Sequence, residues 1–207
     1  AFACAEMEGL IQYAQDQDIF VRIDMEDSPY TQKTIDFYNE CKTKHKKLGV
    51  VLQAYLKRTI DDIQSFNGTG ADLRICKGIY IEPEAIAYKD YQKVRDNYLD
   101  CLEQIIKNDF RVGIATHDQY LIDGAKELIK KLNPPAGSYE FQMLYGVRNH
   151  VARALVKEGY NVRVYVPYGK DWYAYCIRRL NENPNVAWHV TKSLFTDAFR
   201  KITFQST

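Results

Sequence analysis

The sequence predicts an α/β fold, a distorted (β/α)8 barrel of the TIM kind, and three features of the chain point to it. Six short runs rich in β-branched and aromatic residues recur, at 19–25, 49–55, 73–80, 111–116, 139–144 and 161–167, and such runs form strands. Between them lie stretches with apolar residues at helical spacing, notably 31–44, 88–107, 120–132 and 149–158. Strand and helix therefore alternate, which calls for a parallel sheet. The third feature is chemical, because the unusual residues gather at the C-terminal ends of the runs, where (β/α)8 barrels build their active sites.

The elements support this in order. The start, AFACAEMEGLIQYAQDQ, reads as the tail of a helix leading into the first visible strand. The strands VVLQAY and VRVYV carry polar residues inside apolar runs, as a closed barrel with inward or upward functional groups requires. An open doubly wound sheet is the competing architecture, and it normally carries a glycine-rich first turn. The nearest candidate, NGTGAD at 67–72, precedes a strand instead of following one, so it is read as a turn. Such a barrel typically takes about 250 residues, and only six strands are found in these 207. The expected form is thus a single domain over 1–207 that lacks the first two strands.

Bulk composition narrows the function classes. With 46% apolar and 13% aromatic residues the chain can bury a substantial core. Its 28 basic and 27 acidic side chains nearly cancel, with no basic stripe of the kind a nucleic-acid surface needs. Five cysteines are odd in number and scattered, which suits a reducing compartment. The four histidines show no metal-ligand spacing. No apolar stretch approaches the length of a membrane span.

The residues at the strand ends are Asp24, Gln53, Lys77, Thr116 with His117, Leu144 with Tyr145, and Tyr165. Taken singly, each has a structural role open to it, since a strand-end Asp caps helices and a strand-end Tyr closes a barrel. Their joint placement turns the balance towards a site. After the last strand, PYG leads to Asp171, a good N-cap, and to a helix DWYAYCIRRLNEN that stops before Pro184. Trp172, Tyr175, Arg179 and Glu182 share one face of it, and Glu182 lies four residues after Arg178. Adjacent arginines repel, so one of them needs Glu182 while the other fork is left for an anionic ligand. An exposed, solvated arginine pair is the competing reading; the aromatic content of the helix favours a lid over a pocket.

Six segments together resemble the proline dehydrogenases, both the stand-alone bacterial form and the corresponding domain of the bifunctional proline utilisation enzyme. They are VRIDMEDS (21–28), GVVLQAYLKRT (49–59), LRICKGIY (73–80), ATHD (115–118), YEFQMLYGVR (139–148) and VRVYVPYGKDWYAYCIRRLNENP (162–184). The resemblance runs from Leu10 onward and rests on order and spacing as well as on the motifs.

It implies a barrel whose last helix sits across the mouth, and FAD as cofactor, held by Gln53, Arg74, Lys77, Gly78, His117 and Glu182, with Ile75 and Cys76 adding backbone. L-Proline would be held by Asp24, Tyr80, Leu144, Tyr165, Arg178 and Arg179. Cys76 stands where many members have valine, and Ile79 where most have alanine. Relatives with a residue smaller than Tyr165 prefer hydroxyproline. The implied product is 1-pyrroline-5-carboxylate, with electrons passing to a quinone. That step implies a cytoplasmic protein peripheral on the inner membrane, mitochondrial in a eukaryote. The apolar stretch 192–204 is a candidate contact, with a helix packed on the barrel as its alternative. In the family, the second of the strands not found here carries a lysine that reaches the substrate carboxylate and the flavin. The 207-residue chain by itself is therefore expected to bind flavin weakly and to turn over little, if at all. The readings weighed against this one are another flavin barrel, such as a methylenetetrahydrofolate reductase relative, and a catalytically silent fragment that keeps only the ligand face.

Overall fold

A computed structural model describes residues 2–166 and 168–170. They form two compact units, one of residues 2–115 with 119–139 and the other of 116–118 with 140–166 and 168–170. The first holds α1 (Phe2–Asp16), β1 (Val21–Ile23), α2 (Ser28–Lys44), β2 (Leu48–Gln53), α3 (Thr59–Ser65), β3 (Asp72–Cys76), α4 (Tyr91–Lys107), β4 (Arg111–Ala115) and α5 (Gln119–Leu132). In the second are β5 (Tyr139–Leu144), α6 (Asn149–Lys157) and β6 (Val162–Tyr165).

Within the first unit β1 pairs with β2, β2 with β3 and β3 with β4, every pair parallel. Neighbours in space are neighbours in sequence, with no reversal of strand order. A doubly wound sheet reverses at a switch point, so this order is that of a βα barrel wall. In the second unit β5 and β6 also pair in parallel, with α6 between them in the chain.

All six residues of β2 are buried, as a strand covered on both faces by the crossover arrangement must be. Leu48, Val50, Leu52, Leu73, Ile75 and Ile114 form the centre of the first unit. Against it α4 places Val94, Tyr98, Cys101, Leu102 and Ile105 at helical spacing. Polar groups carried inward find partners: Tyr98 donates from its hydroxyl to the Ile75 carbonyl at 3.1 Å, and Asn97 Nδ2 to the Ala54 carbonyl at 2.6 Å.

At the opposite end of the sheet Arg22 reaches from β1 over β2 to Asp72 on β3, with a 2.5 Å ion pair between partners whose side chains are about nine-tenths buried. Arg22 sits in register with Gly49. A Cβ at Gly49 would lie 2.8 Å from the Arg22 guanidinium and 2.7 Å from the Asp72 carbonyl. The missing side chain is what lets the guanidinium through.

The boundaries differ from the sequence reading for local reasons. LRICKGIY continues apolar to Tyr80, yet β3 ends at Cys76 because Gly78 turns the chain at φ +101°. VVLQAY leaves the formal strand at Gln53, although the Ala54 and Tyr55 amides still donate to the Cys76 and Lys77 carbonyls at 2.8 Å each. Helix α4 starts three residues later than its apolar pattern because Asp90 caps it, accepting from the Lys93 amide at 2.8 Å. The sequence reading missed α3 altogether, since TIDDIQS is too short to show a period. The expected turn at 67–72 is found over 66–69, with Gly68 and Gly70 at positive φ, and Asp72 already opens β3.

Candidate functional site

The strand ends of the first unit bring together most of the residues expected at the site. Asp24 follows β1 and its Oδ1 lies 3.6 Å from the Arg74 guanidinium on β3, Asp24 being the more exposed partner. Gln53 ends β2 in register with Cys76. Its side chain is buried, and Nε2 donates to the Glu26 carbonyl at 2.8 Å. The Gln53 carbonyl accepts from Thr59 Oγ1 at 2.6 Å, which fixes where the chain leaves the strand. Tyr80 donates its hydroxyl to the Glu26 carboxylate.

Ile75 is fully buried, while Cys76 beside it donates weakly from Sγ to the Leu52 carbonyl at 3.5 Å. Burial, with the Asp24 carboxylate adding to it, pushes the Cys76 thiol up to about 11, so it stays a neutral, unreactive group near neutral pH. Gly78 is needed twice over: its φ is +101°, and a Cβ there would fall 2.1 Å from the Tyr55 ring. The Lys77 ammonium lies 4.9 Å from the centre of the Tyr91 ring and donates to its hydroxyl at 3.4 Å. Arg95 lies 4.3 Å from that same ring and 4.9 Å from Tyr120, so cations and aromatic rings alternate along this edge.

The loop between β3 and α4 is anchored back on the N-terminus of α2. Buried Glu82 accepts from the Ser28 amide and from Ser28 Oγ, both at 2.6 Å. A carboxylate at that position neutralises the positive end of the helix. A cleft of about 400 Å³ opens beside it, lined by residues that include Ser28, Lys57, Arg58 and Ile86, and contains none of the residues expected at the site.

In the second unit His117, Leu144 and Tyr165 come together. The Leu144 amide donates to His117 Nε2 at 2.9 Å. That nitrogen must therefore carry a lone pair, which leaves the imidazole proton on Nδ1. Leu144 is in register with Tyr165, and the Tyr145 amide donates to the Tyr165 carbonyl at 2.9 Å. The YGVR segment then turns with Gly146 and Arg148 both at positive φ, and Arg148 donates to the His117 carbonyl. Glu140 grips Arg163 through both carboxylate oxygens, at 2.5 and 3.0 Å, tying β5 to β6. Arg178, Arg179 and Glu182, the aromatic helix expected at 171–183 and the apolar stretch 192–204 lie outside the described residues.

Residues 4–192 match the family model described as Proline dehydrogenase. The chain belongs to the proline dehydrogenase family. It is 43% identical over 183 residues to proline dehydrogenase 2 of Bacillus subtilis, a match covering 88% of this chain and 60% of that protein. To proline dehydrogenase 1 of the same species it is 38% identical over 192 residues, covering 93% and 64%. Among solved structures it is similar to proline utilization A from Bdellovibrio bacteriovorus inactivated by N-propargylglycine, with a TM-score of 0.79, 26% identity, and coverage of 87% of this chain and 22% of that one. The chain thus spans roughly three fifths of the length of these B. subtilis relatives.

Within this proline dehydrogenase fold, the sequence reading missed Glu26, Tyr55, Tyr91 and Arg148. Glu26 had a signal available: it lies two residues after Asp24, hence on the same side of an extended chain, while Met25 between them is buried. The other three act through partners distant in sequence and carry no such mark.

Proposed function

We propose that this chain forms the ligand face of an FAD-dependent dehydrogenase that oxidises L-proline to 1-pyrroline-5-carboxylate and passes the electrons to a quinone. The observation that carries the reading is the family match over 4–192, joined to an amide and a carboxylate at the ends of β2 and β1 and two cations on and just after β3.

The residues present fit a flavin. Gln53 is buried and held by its Nε2, and no donor among the described residues reaches its Oε1, which suits a ring N–H of an isoalloxazine. Arg74 and Lys77 supply positive charge for a cofactor with two phosphates and an anionic reduced form. His117, Gly78, Glu182 and the backbone of Ile75 and Cys76 complete the proposed cofactor set. When bound, the flavin supplies the redox chemistry by accepting hydride from C5 of the ring.

The chain's own task is to bind and orient. Arg178 and Arg179 would take the substrate carboxylate in a bidentate grip that lysine cannot copy. Asp24, an exposed carboxylate already drawn towards Arg74, would face the substrate amine. Tyr80, Leu144 and Tyr165 would close on the ring and exclude water, which strengthens every charge contact inside. A quinone acceptor further requires approach to a membrane surface.

The test, made on the natural protein that carries this chain and not on the 207 residues alone, is to release the cofactor by denaturation and weigh it, and to follow proline-dependent reduction of a dye. FAD and turnover are expected; FMN, or turnover with another amino acid in place of proline, would overturn the proposal.

A further inference from the structure

We infer that Glu26 is a positioning residue that ties the substrate wall to the cofactor wall, setting Tyr80 through its carboxylate and Gln53 through its backbone. The inference rests on the functional reading above and deepens it. Three observations carry it. Tyr80 donates its hydroxyl to the Glu26 carboxylate across 54 positions of sequence. Gln53 Nε2 donates to the Glu26 carbonyl at 2.8 Å, across 27 positions. Met25 beside Glu26 is buried in the core, so the peptide that presents both acceptors is itself clamped.

The chemistry follows from the two kinds of contact. A phenol outside regular secondary structure has a broad choice of ring orientations, and a charged acceptor holds one of them more strongly than a neutral acceptor does. Tyr80 lies two residues beyond Gly78, where the chain has left β3 at a left-handed φ, so strand pairing no longer holds it. The Glu26 carboxylate, three residues beyond β1, contributes to that work. Gln53 differs, since it sits inside the ladder and asks of Glu26 only a carbonyl, which any residue provides. Side-chain substitution at Glu26 therefore separates the two walls: substrate affinity changes and cofactor affinity does not. General destabilisation would weaken both.

The experiment uses the flavin-loaded natural protein, with tetrahydrofuran-2-carboxylate as a proline analogue titrated by the flavin absorbance change, and flavin affinity measured separately. Glu26→Ala should weaken the analogue about ten-fold, the low end for a hydrogen bond to a charged group at a partly exposed site, with flavin affinity within about two-fold of the parent. Glu26→Gln keeps an oxygen acceptor and should recover most of the loss, and it stands in should the alanine variant fold poorly. Tyr80→Phe added to Glu26→Ala should cost less than about a further two-fold, because the two act through one bond. Parent-like analogue binding in Glu26→Ala, or equal losses of analogue and flavin, overturns the inference while Tyr80→Phe or Gln53→Ala still shows a loss. Parent-like binding in Tyr80→Phe and Gln53→Ala as well overturns the functional reading and the inference together.

Discussion

Strands β2 and β6 look alike on paper, each an apolar run interrupted by a polar residue and each ending in a residue expected at the site. In the structure β2 is buried along its whole length, whereas Val164 and Tyr165 of β6 are 46% and 37% exposed. The difference lies in what each strand is given: β2 has a strand on either side and helices over it, and β6 is held to β5 by its ladder and by the Glu140–Arg163 pair. Among the described residues, Gln53 on β2 is positioned by a filled core, and Tyr165 on β6 sits in a strand held by its ladder to β5 and by polar contacts.

Several substitutions would break or sharpen that contrast. The largest effect is expected at the glycines. Gly78→Val meets both a left-handed φ and the Tyr55 ring, and should cost about 3–5 kcal/mol in a denaturant titration. Gly146→Ala has positive φ but open space and should cost about 1 kcal/mol; equal costs would erase the distinction. Next, Leu52→Ala in β2 should lose about 3 kcal/mol, against under about 1 kcal/mol for Val164→Ala in β6, read as shifts in the unfolding midpoint.

A functional counterpart concerns selectivity. On the proposed reading, Tyr165→Ser should narrow the preference for proline over hydroxyproline about ten-fold, measured as a ratio of kcat/KM values, with stability nearly unchanged because the side chain is part-exposed. An unchanged ratio would remove Tyr165 from the pocket.

The smallest effect is a dependence on pH. Unfolded, the Cys76 thiol titrates near 9.0, and in the folded chain at about 11. The folded state thus keeps a proton that the unfolded chain releases, so the stability this group contributes is complete below pH 9.0 and is lost as pH rises towards about 11. Cys101, pushed up to about 12 by burial, adds to the same decline. Alkylation mapped by mass at pH 8 should label exposed Cys4 readily and Cys76 about a hundred-fold more slowly. Comparable rates would show that the β2–β3 region opens more easily than its burial indicates.

How much of this was legible beforehand depends on the range of the cause. Strand identity and the strand-end positions of Gln53, Lys77, Leu144 and Tyr165 follow from local pattern, because a period of two and a bounding turn are written in adjacent residues; Arg74, inside β3, was marked by the family resemblance alone. The end of β3 at Cys76 does not, since it depends on a glycine fitted against Tyr55. Nor does the place of Glu26, whose carboxylate is defined by a phenol 54 positions away. Helix α3 escaped for a third reason: seven residues make too short a window for a 3.6-residue repeat.

The gap at Gly49 has a consequence for how such a sheet can vary. The Arg22–Asp72 bridge passes over β2 at the one position without a side chain, so a slip of one residue in either direction would put Leu48 or Val50 in its path. Registration of three strands is thereby indexed at the end of the sheet remote from Gln53 and Lys77. A side chain such as Lys77, whose contacts run to Tyr91 on α4 rather than across the strands, can therefore be exchanged, by selection or by design, while the strands keep their alignment.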